Sequence, residues 1–514
     1  MRSWMTIFTI LIALQTGNTA VAVAASTRTD RIVIAWEAPV RSLDPRFASD
    51  ANSQYLEDLA NCSLMSFGPT GATLPDLAAG PPQWTTPTTL SVKIKANAKF
   101  ADGTLVTADD VKATYQFFLK TAAVATPSPR AGAFSKVTGI EKKSNDTVVF
   151  QLAEPDASFV TNLVVGILPA KLAQGPQIET PIGHVGCGPF KIVSADVTSL
   201  LLEKNPNYSL GAPPKVGAIE IKIVKDEKTR FAKLQKGEVD LVQNLLSRDV
   251  LKDVERKFPN LRVVRRPALK TSYLGFNMKD KVSGNLAVRK AIALALDRQE
   301  IIDYILAGLA TPARSMLVPG DPFLNTQVGA TAKDLAKAGK ILDEAGFKPS
   351  GANKVRLQLS LKTTTDVTRV SVAKAIATQL KKVGIEVVVE PMEWGRFAAD
   401  VEAGRIQTWT LSWIGFKDPD IYRYAFGTEA LPPNGGNRGW YSNASLDKML
   451  TEGRTTTDPA KRGLIYGKVQ EVVAEDLPYV FLWHEENFAV HSSALAGFEL
   501  YADGRYSSLT KASK

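Results

Sequence analysis

The chain has 514 residues, 45% of them hydrophobic and 22% charged, with a formal charge of +10. That composition is that of a globular chain rather than a disordered or fibrous one, and a mild positive charge with no dense basic run among aromatics reads as a solvated basic surface and argues against nucleic acid as partner. Three histidines and two cysteines leave little material for a metal centre.

The first 25 residues stand apart. Arg2 is their only charge, an apolar run fills positions 4–14, and small residues lead to Ala22-Val23-Ala24-Ala25. This is the pattern of a secretory signal peptide, with cleavage expected after Ala24 or Ala25. The alternative, an uncleaved anchor, needs a run of roughly 20 apolar residues. No cysteine follows the cleavage region, so no lipid anchor is expected. Removing the one charge of Arg2 from +10 leaves +9. In an oxidising compartment Cys62 and Cys187 imply one disulfide, although their spacing does not fix its geometry.

The remaining chain alternates strands and helices. Positions 31–36 read as a buried strand. Leu90, Val92 and Ile94 alternate with polar residues, as in a half-buried strand. An Asp102-Gly103 turn follows. Thr107 with Asp110 three residues on is a capping-box pattern, and Val111, Tyr115 and Phe118 behind it share a helical face. Ile219, Ile221 and Ile223 form another strand, and 228–236 a helix ended by Gly237. Val355, Leu357, Leu359 and Leu361 alternate. Val370, Ala373, Ala377 and Leu380 then follow at helical spacing, Gly384 stops the helix, and 385–390 is a strand. That is a βαβ unit with a parallel pair. Trp409, Leu411 and Trp413 share one face of a further strand. Loops are expected at Pro81-Pro82, 126–132, 211–214 and 431–439.

No catalytic motif is present: no H-E-x-x-H, Walker loop, G-x-S-x-G or dinucleotide fingerprint. His184 and Cys187 lie three apart, but two ligands beside glycines fall short of the four of a structural zinc site.

Several segments, in collinear order, carry a resemblance. They are Ser42-Leu43-Asp44-Pro45, Leu74-Pro75-Asp76-Leu77-Ala78, the stretch 99–111, Gly186-Cys187-Gly188-Pro189-Phe190, Asn205-Pro206-Asn207-Tyr208, and 234–240. Gly275-Phe276-Asn277, Val288-Arg289-Lys290-Ala291-Ile292 with Leu296-Asp297-Arg298, and 336–347 complete the set. From Arg31 to about Val490 the chain resembles the family 5 extracellular solute-binding proteins, which serve oligopeptide, dipeptide and nickel ABC importers.

The resemblance implies an α/β, two-lobed periplasmic clamp with two hinge crossings, near 272–277 and 483–490. Lobe I would comprise 26–275 plus 484–514, with an inserted subdomain at about 47–180. Lobe II would comprise 276–483. It implies a non-catalytic, periplasmic monomer without cofactor. Such a protein closes on a peptide or other small organic solute and hands it to a membrane permease. A periplasmic hydrolase on the same fold, and a nickel or haem carrier, are the alternatives.

For the pocket, Trp394 and Trp413 match aromatic positions of the family's peptide binders. Those binders carry an aspartate after the second tryptophan that pairs with the peptide's amine. Here that place holds Phe416 or Lys417, and Asp418 matches the D-P-D that follows. Free-amine recognition is therefore not expected unless Asp418 shifts into reach. Glu37, Arg41 and Asn277 are further candidates for polar contacts.

Overall fold

The computed structural model describes residues 30–120, 128–329 and 332–514; the expected signal peptide and the start of the 126–132 loop fall outside them. The strands are β1 (Arg31–Trp36), β2 (Met65–Phe67), β3 (Thr73–Pro75), β4 (Gln83–Thr86), β5 (Thr89–Lys93), β6 (Val137–Ser144), β7 (Thr147–Leu152), β8 (Phe190–Ala195) and β9 (Ser199–Lys204). They continue as β10 (Ala218–Ile223), β11 (Leu241–Gln243), β12 (Leu261–Phe276), β13 (Ala310–Pro312), β14 (Leu357–Thr364), β15 (Ile385–Met392), β16 (Thr408–Ile414) and β17 (Tyr479–Ser492).

Eleven strands form one mixed sheet in the order β15-β14-β16-β12-β17-β11-β1-β10-β9-β8, with β13 attached to β17. The predicted βαβ unit is β14, helix Val367–Lys381 and β15, and the two strands are parallel. β1 is likewise parallel to β10 and β11. The long pair β12 and β17 is antiparallel and joins the β1 half of the sheet, through β11, to the β14 half, through β16.

Apolar periodicity sorts the chain into separate cores. Ile32, Ile34, Ile219 and Ile221 pack on one face of the sheet's β1 half, and Val33, Ala35 and Val242 on the other. In the β14 half, Leu357, Leu359 and Leu361 meet helix residues Val372, Ala373 and Ile376 on one face. Trp409, Leu411 and Phe416 pack on the opposite face with Tyr273 and Tyr479. A fifth core, from Cys62 to Cys187, encloses the four-stranded sheet β4-β5-β7-β6 with Val111, Tyr115 and Phe118 of helix Ala108–Lys120. The molecule thus consists of two lobes joined by the long strand pair, with an all-antiparallel insert on the first.

Local signals explain the element ends. Asp110 accepts from the Thr107 amide at 2.8 Å, which is half of the predicted capping box. The Thr107 hydroxyl donates to the same carboxylate, also at 2.8 Å, and so does not accept from the helix. The helix expected at 228–236 runs Glu227–Gln235, because Asp226 caps it through the Thr229 amide. Cys62 and Cys187 are joined, with Cα atoms 5.0 Å apart. The glycines flanking Cys187 permit this approach: a Cβ on Gly186 would sit 2.0 Å from the Ala60 carbonyl oxygen, and one on Gly188 2.5 Å from the Ala60 carbonyl carbon.

Candidate functional site

β12 and β17 do not pair evenly. Pro267 faces Glu486 and Thr271 faces His484, so three residues of β12 oppose one of β17. Such a bulge bends and twists a strand locally. Leu269, inside it, links two segments that approach from opposite lobes. Its amide donates to the Ala502 carbonyl at 3.0 Å, and its carbonyl accepts from the Gly415 amide at 2.7 Å.

A cavity of about 420 Å³ opens beside this point, between the lobes. Phe67, Arg130 and Asn162 line it from the insert, Arg505 from the C-terminal segment, and Phe416, Lys417 and Tyr424 from lobe II. Its volume suits a small organic molecule.

Charge inside the cavity is largely committed. The Lys417 ammonium sits 3.1 Å from Asp503 and 3.4 Å from the centroid of the Phe67 ring, and so reaches from lobe II onto lobe I. Burial, with Arg505 close by, pushes its pKa down to about 8 against the opposing pull of Asp503. Arg505 bonds Asp503 at 3.0 Å and lies 3.4 Å from Asp58. Arg130 holds both oxygens of Glu57 at 2.9 Å.

Asp418 is held by Arg462 of helix Pro459–Asp476 through two bonds of 2.7 Å. Asp420 pairs with Arg423 at 3.0 Å and accepts from the Tyr466 hydroxyl at 3.0 Å. Burial pushes its pKa up to about 6 in spite of Arg423. A carboxylate already bound bidentately to arginine has little left to offer a ligand's ammonium.

The other candidates divide. Trp394 starts helix Trp394–Glu402 and is 57% exposed, with its ring 5.9 Å from Phe397. Phe397, Phe416 and Trp413 belong to one lobe II cluster; of the candidates Phe416 and Asp418 line the cavity, while Trp394 and Trp413 stand outside its lining. Trp413 lies parallel to Tyr273 at 6.3 Å and edge-on to Tyr424 at 5.7 Å. Asn277 is buried and spent on the backbone: its amide donates to Gly404 and Ile406, and its oxygen accepts from the Lys279 amide. Glu37 and Arg41 are exposed on lobe I. Arg41 lines a separate cavity with Val40, Gln177 and Val197. Below it Asp44 and Arg46 form a fully buried ion pair at 2.6 Å. Arg46 also donates to the carbonyls of Ala173 and Pro176, which explains the Ser42-Leu43-Asp44-Pro45 segment as a clasp.

Sequence reasoning missed Arg130, Tyr424 and Arg505 as cavity residues. They lie far apart in the chain, and no spacing rule connects them. The cue that did exist was Lys417, standing where an acid was expected.

Comparison with known proteins agrees with this architecture. Residues 73–431 match the family of bacterial extracellular solute-binding proteins, family 5 (middle region). The oligopeptide-binding protein AppA of Bacillus subtilis is 28% identical over 438 residues, 80% of this chain and 78% of that protein. The glutathione-binding protein GsiB of Pectobacterium atrosepticum is 29% identical over 489 residues, 92% of each. The structure of HbpA2 from Haemophilus parasuis superposes with a TM-score of 0.82 at 21% identity, covering 93% of this chain and 98% of that one. The chain belongs to the family 5 bacterial extracellular solute-binding proteins.

Proposed function

We propose that this family 5 member is exported to the periplasm after loss of its first 24 or 25 residues. There it captures a small organic solute between its lobes and presents it, as a monomer, to an ABC importer in the membrane. The observation that carries this reading is the 420 Å³ cavity lined from both lobes beside the bulged strand pair. We assign lobe I to 26–275 plus 484–514, with the insert near 47–180, and lobe II to 276–483. The lobes would swivel at the two crossings near 272–277 and 483–490, where the β12–β17 ladder shifts register between Ser272 and Tyr273 and, just before, between Pro267 and Thr271, since an irregular ladder resists rotation least. The ligand-facing wall would be Trp394, Trp413 and Phe416, whose apolar area suits ligands of mixed chemistry.

Catalysis is not part of this reading. The relatives are named as binding proteins, and the cavity's acids are paired rather than poised. A free peptide amine is not the anchor either, because Asp418 and Asp420 are engaged by Arg462 and Arg423, and the Lys417 ammonium already occupies the cleft. A buried ammonium without its own carboxylate carries a cost of several kcal/mol.

Native mass spectrometry of protein purified without refolding identifies the bound solute, and small-angle scattering then follows closure. The solute should be recovered unchanged, and adding it to emptied protein should reduce the radius of gyration. Recovery of a chemically converted solute would favour the hydrolase reading. Tight binding of free peptides that vanishes on N-acetylation would reinstate an amine anchor.

A further inference from the structure

Behind the Tyr424 side of the cavity, lobe II and the crossing strand β12 together gather hydrogen-bond donors without matching acceptors. The Tyr273 and Tyr479 rings stack at 3.9 Å, Trp409 meets Tyr479 edge-on at 6.4 Å, and Trp413 flanks Tyr273. The Arg438 guanidinium, from the 431–439 loop, lies 5.3 Å from the centroid of the Trp413 ring. The Tyr273 hydroxyl is close to Trp409, Tyr479 and Arg438, and the Tyr479 hydroxyl to Tyr273 and Trp413. Yet both hydroxyls and both indole nitrogens are buried without a hydrogen bond of acceptable geometry among the described residues. Arg438 has no carboxylate partner among them.

The inventory is lopsided. An indole N–H and a guanidinium only donate, so the two phenol oxygens are the sole side-chain acceptors in the cluster. The acids on the neighbouring 418–420 turn are taken by Arg462 and Arg423. Native proteins rarely leave several buried polar atoms unsatisfied in one place without a ligand or functional reason. Tyr424, 44% exposed, packs edge-on against Trp413 and lines the interlobe cavity, which puts the cluster one ring behind the cavity wall.

We propose that this cluster is an anion subsite that receives a carboxylate of the captured solute. Arg438 is the charge partner, and the Trp413 indole with the Tyr273 and Tyr479 hydroxyls are flanking donors. A planar carboxylate suits the guanidinium fork better than a tetrahedral anion does. This inference rests on the binding-protein reading and narrows its ligand class to organic acids that need no free amine.

The test uses full-length mature protein labelled with ¹⁵N at the tryptophan indoles, with Trp409→Phe and Trp413→Phe assigning the two resonances. The probes are benzoate, a mixture of N-acetylated tripeptides with free C-terminal carboxylates, the matching C-terminal amides, and inorganic phosphate. The Trp413 and Trp409 signals should move with the carboxylates and stay fixed with the amides. Arg438→Gln should weaken the carboxylate response about tenfold or more, as loss of a charge-assisted bond predicts. Tyr273→Phe removes only an unsatisfied hydroxyl, so it should weaken the response while leaving the melting temperature level or higher; a merely structural hydroxyl would lower it. The subsite is overturned if no carboxylate moves either signal, if amides act equally, if phosphate is preferred, or if Arg438→Gln has no effect. Carboxylate binding without closure in small-angle scattering would sink the transport reading and leave the subsite standing. Closure by a solute that carries no acid, undiminished in Arg438→Gln, would do the reverse.

Discussion

Replacing Lys417 by methionine should stabilise the protein while impairing its cleft. The side chain is only 18% exposed and its pKa falls from 10.5 to about 8, mainly through burial. Keeping that ammonium charged at pH 7 therefore costs the folded state about 3 kcal/mol relative to the unfolded chain. Methionine keeps the length and can lie against the Phe67 ring. Asp503 loses one partner but retains Arg505 at 3.0 Å, which offsets part of the gain, and a net stabilisation of about 1–2 kcal/mol is expected at pH 7. The pH dependence carries a definite sign. Between the folded pKa and 10.5 the unfolded chain holds the proton that the folded chain has released, so wild-type stability gains with rising pH. The slope is at most about 1.4 kcal/mol per pH unit. The advantage of Lys417→Met should thus be largest below pH 8 and shrink toward pH 9.5. Thermal unfolding of both proteins from pH 7 to 9.5 measures this. A variant less stable than wild type at pH 7, with a gap that does not change with pH, would show that the lysine strengthens the fold and that its burial carries no net penalty. In solute titrations the same variant should bind more weakly, because the contact from lobe II to Asp503 is gone.

Three further outcomes are expected. Replacing Cys62 and Cys187 by alanine opens a loop spanning 125 residues and should cost about 3–5 kcal/mol; alkylation of wild type without reductant should label no thiol, and two labelled cysteines would contradict the disulfide. Trp394→Ala, at an exposed helix start, should change stability by less than about 0.5 kcal/mol yet lower solute affinity by about 2 kcal/mol, whereas Trp413→Ala should lose both stability and affinity; unchanged affinity in Trp394→Ala would remove it from the wall. Burial lowers the pKa of His484, at the bulge, to about 4, so the unfolded chain protonates first as pH falls from 6.5 and stability drops toward pH 4. In His484→Gln that drop should be shallower by up to about 1.4 kcal/mol per pH unit, and identical acid profiles would refute a neutral buried histidine.

The sequence by itself determined the local structure and the family. Alternation at Ile219, Ile221 and Ile223, helical spacing at Val111, Tyr115 and Phe118, and glycines at 237 and 384 depend on neighbours within a few residues, and the elements appear where those signals stand. Phe416 and Lys417 were readable as a departure from amine recognition for the same reason: a motif is a local string. Only the tertiary structure decided what became of the side chains. Asp418 could be read as a ligand acid or a turn residue until Arg462, 44 positions later, took both its oxygens. Asn277 looked available beside a crossing strand but is consumed by the carbonyls of Gly404 and Ile406. Lys417 meets Asp503, and Arg438 meets tyrosines from two different strands. Partner choice for a polar side chain is set by distances across the packed interior, and strands that neighbour one another in the sheet are remote in the chain. Periodicity therefore fixes which face a residue occupies, and the folded lobes fix which charge it finds there.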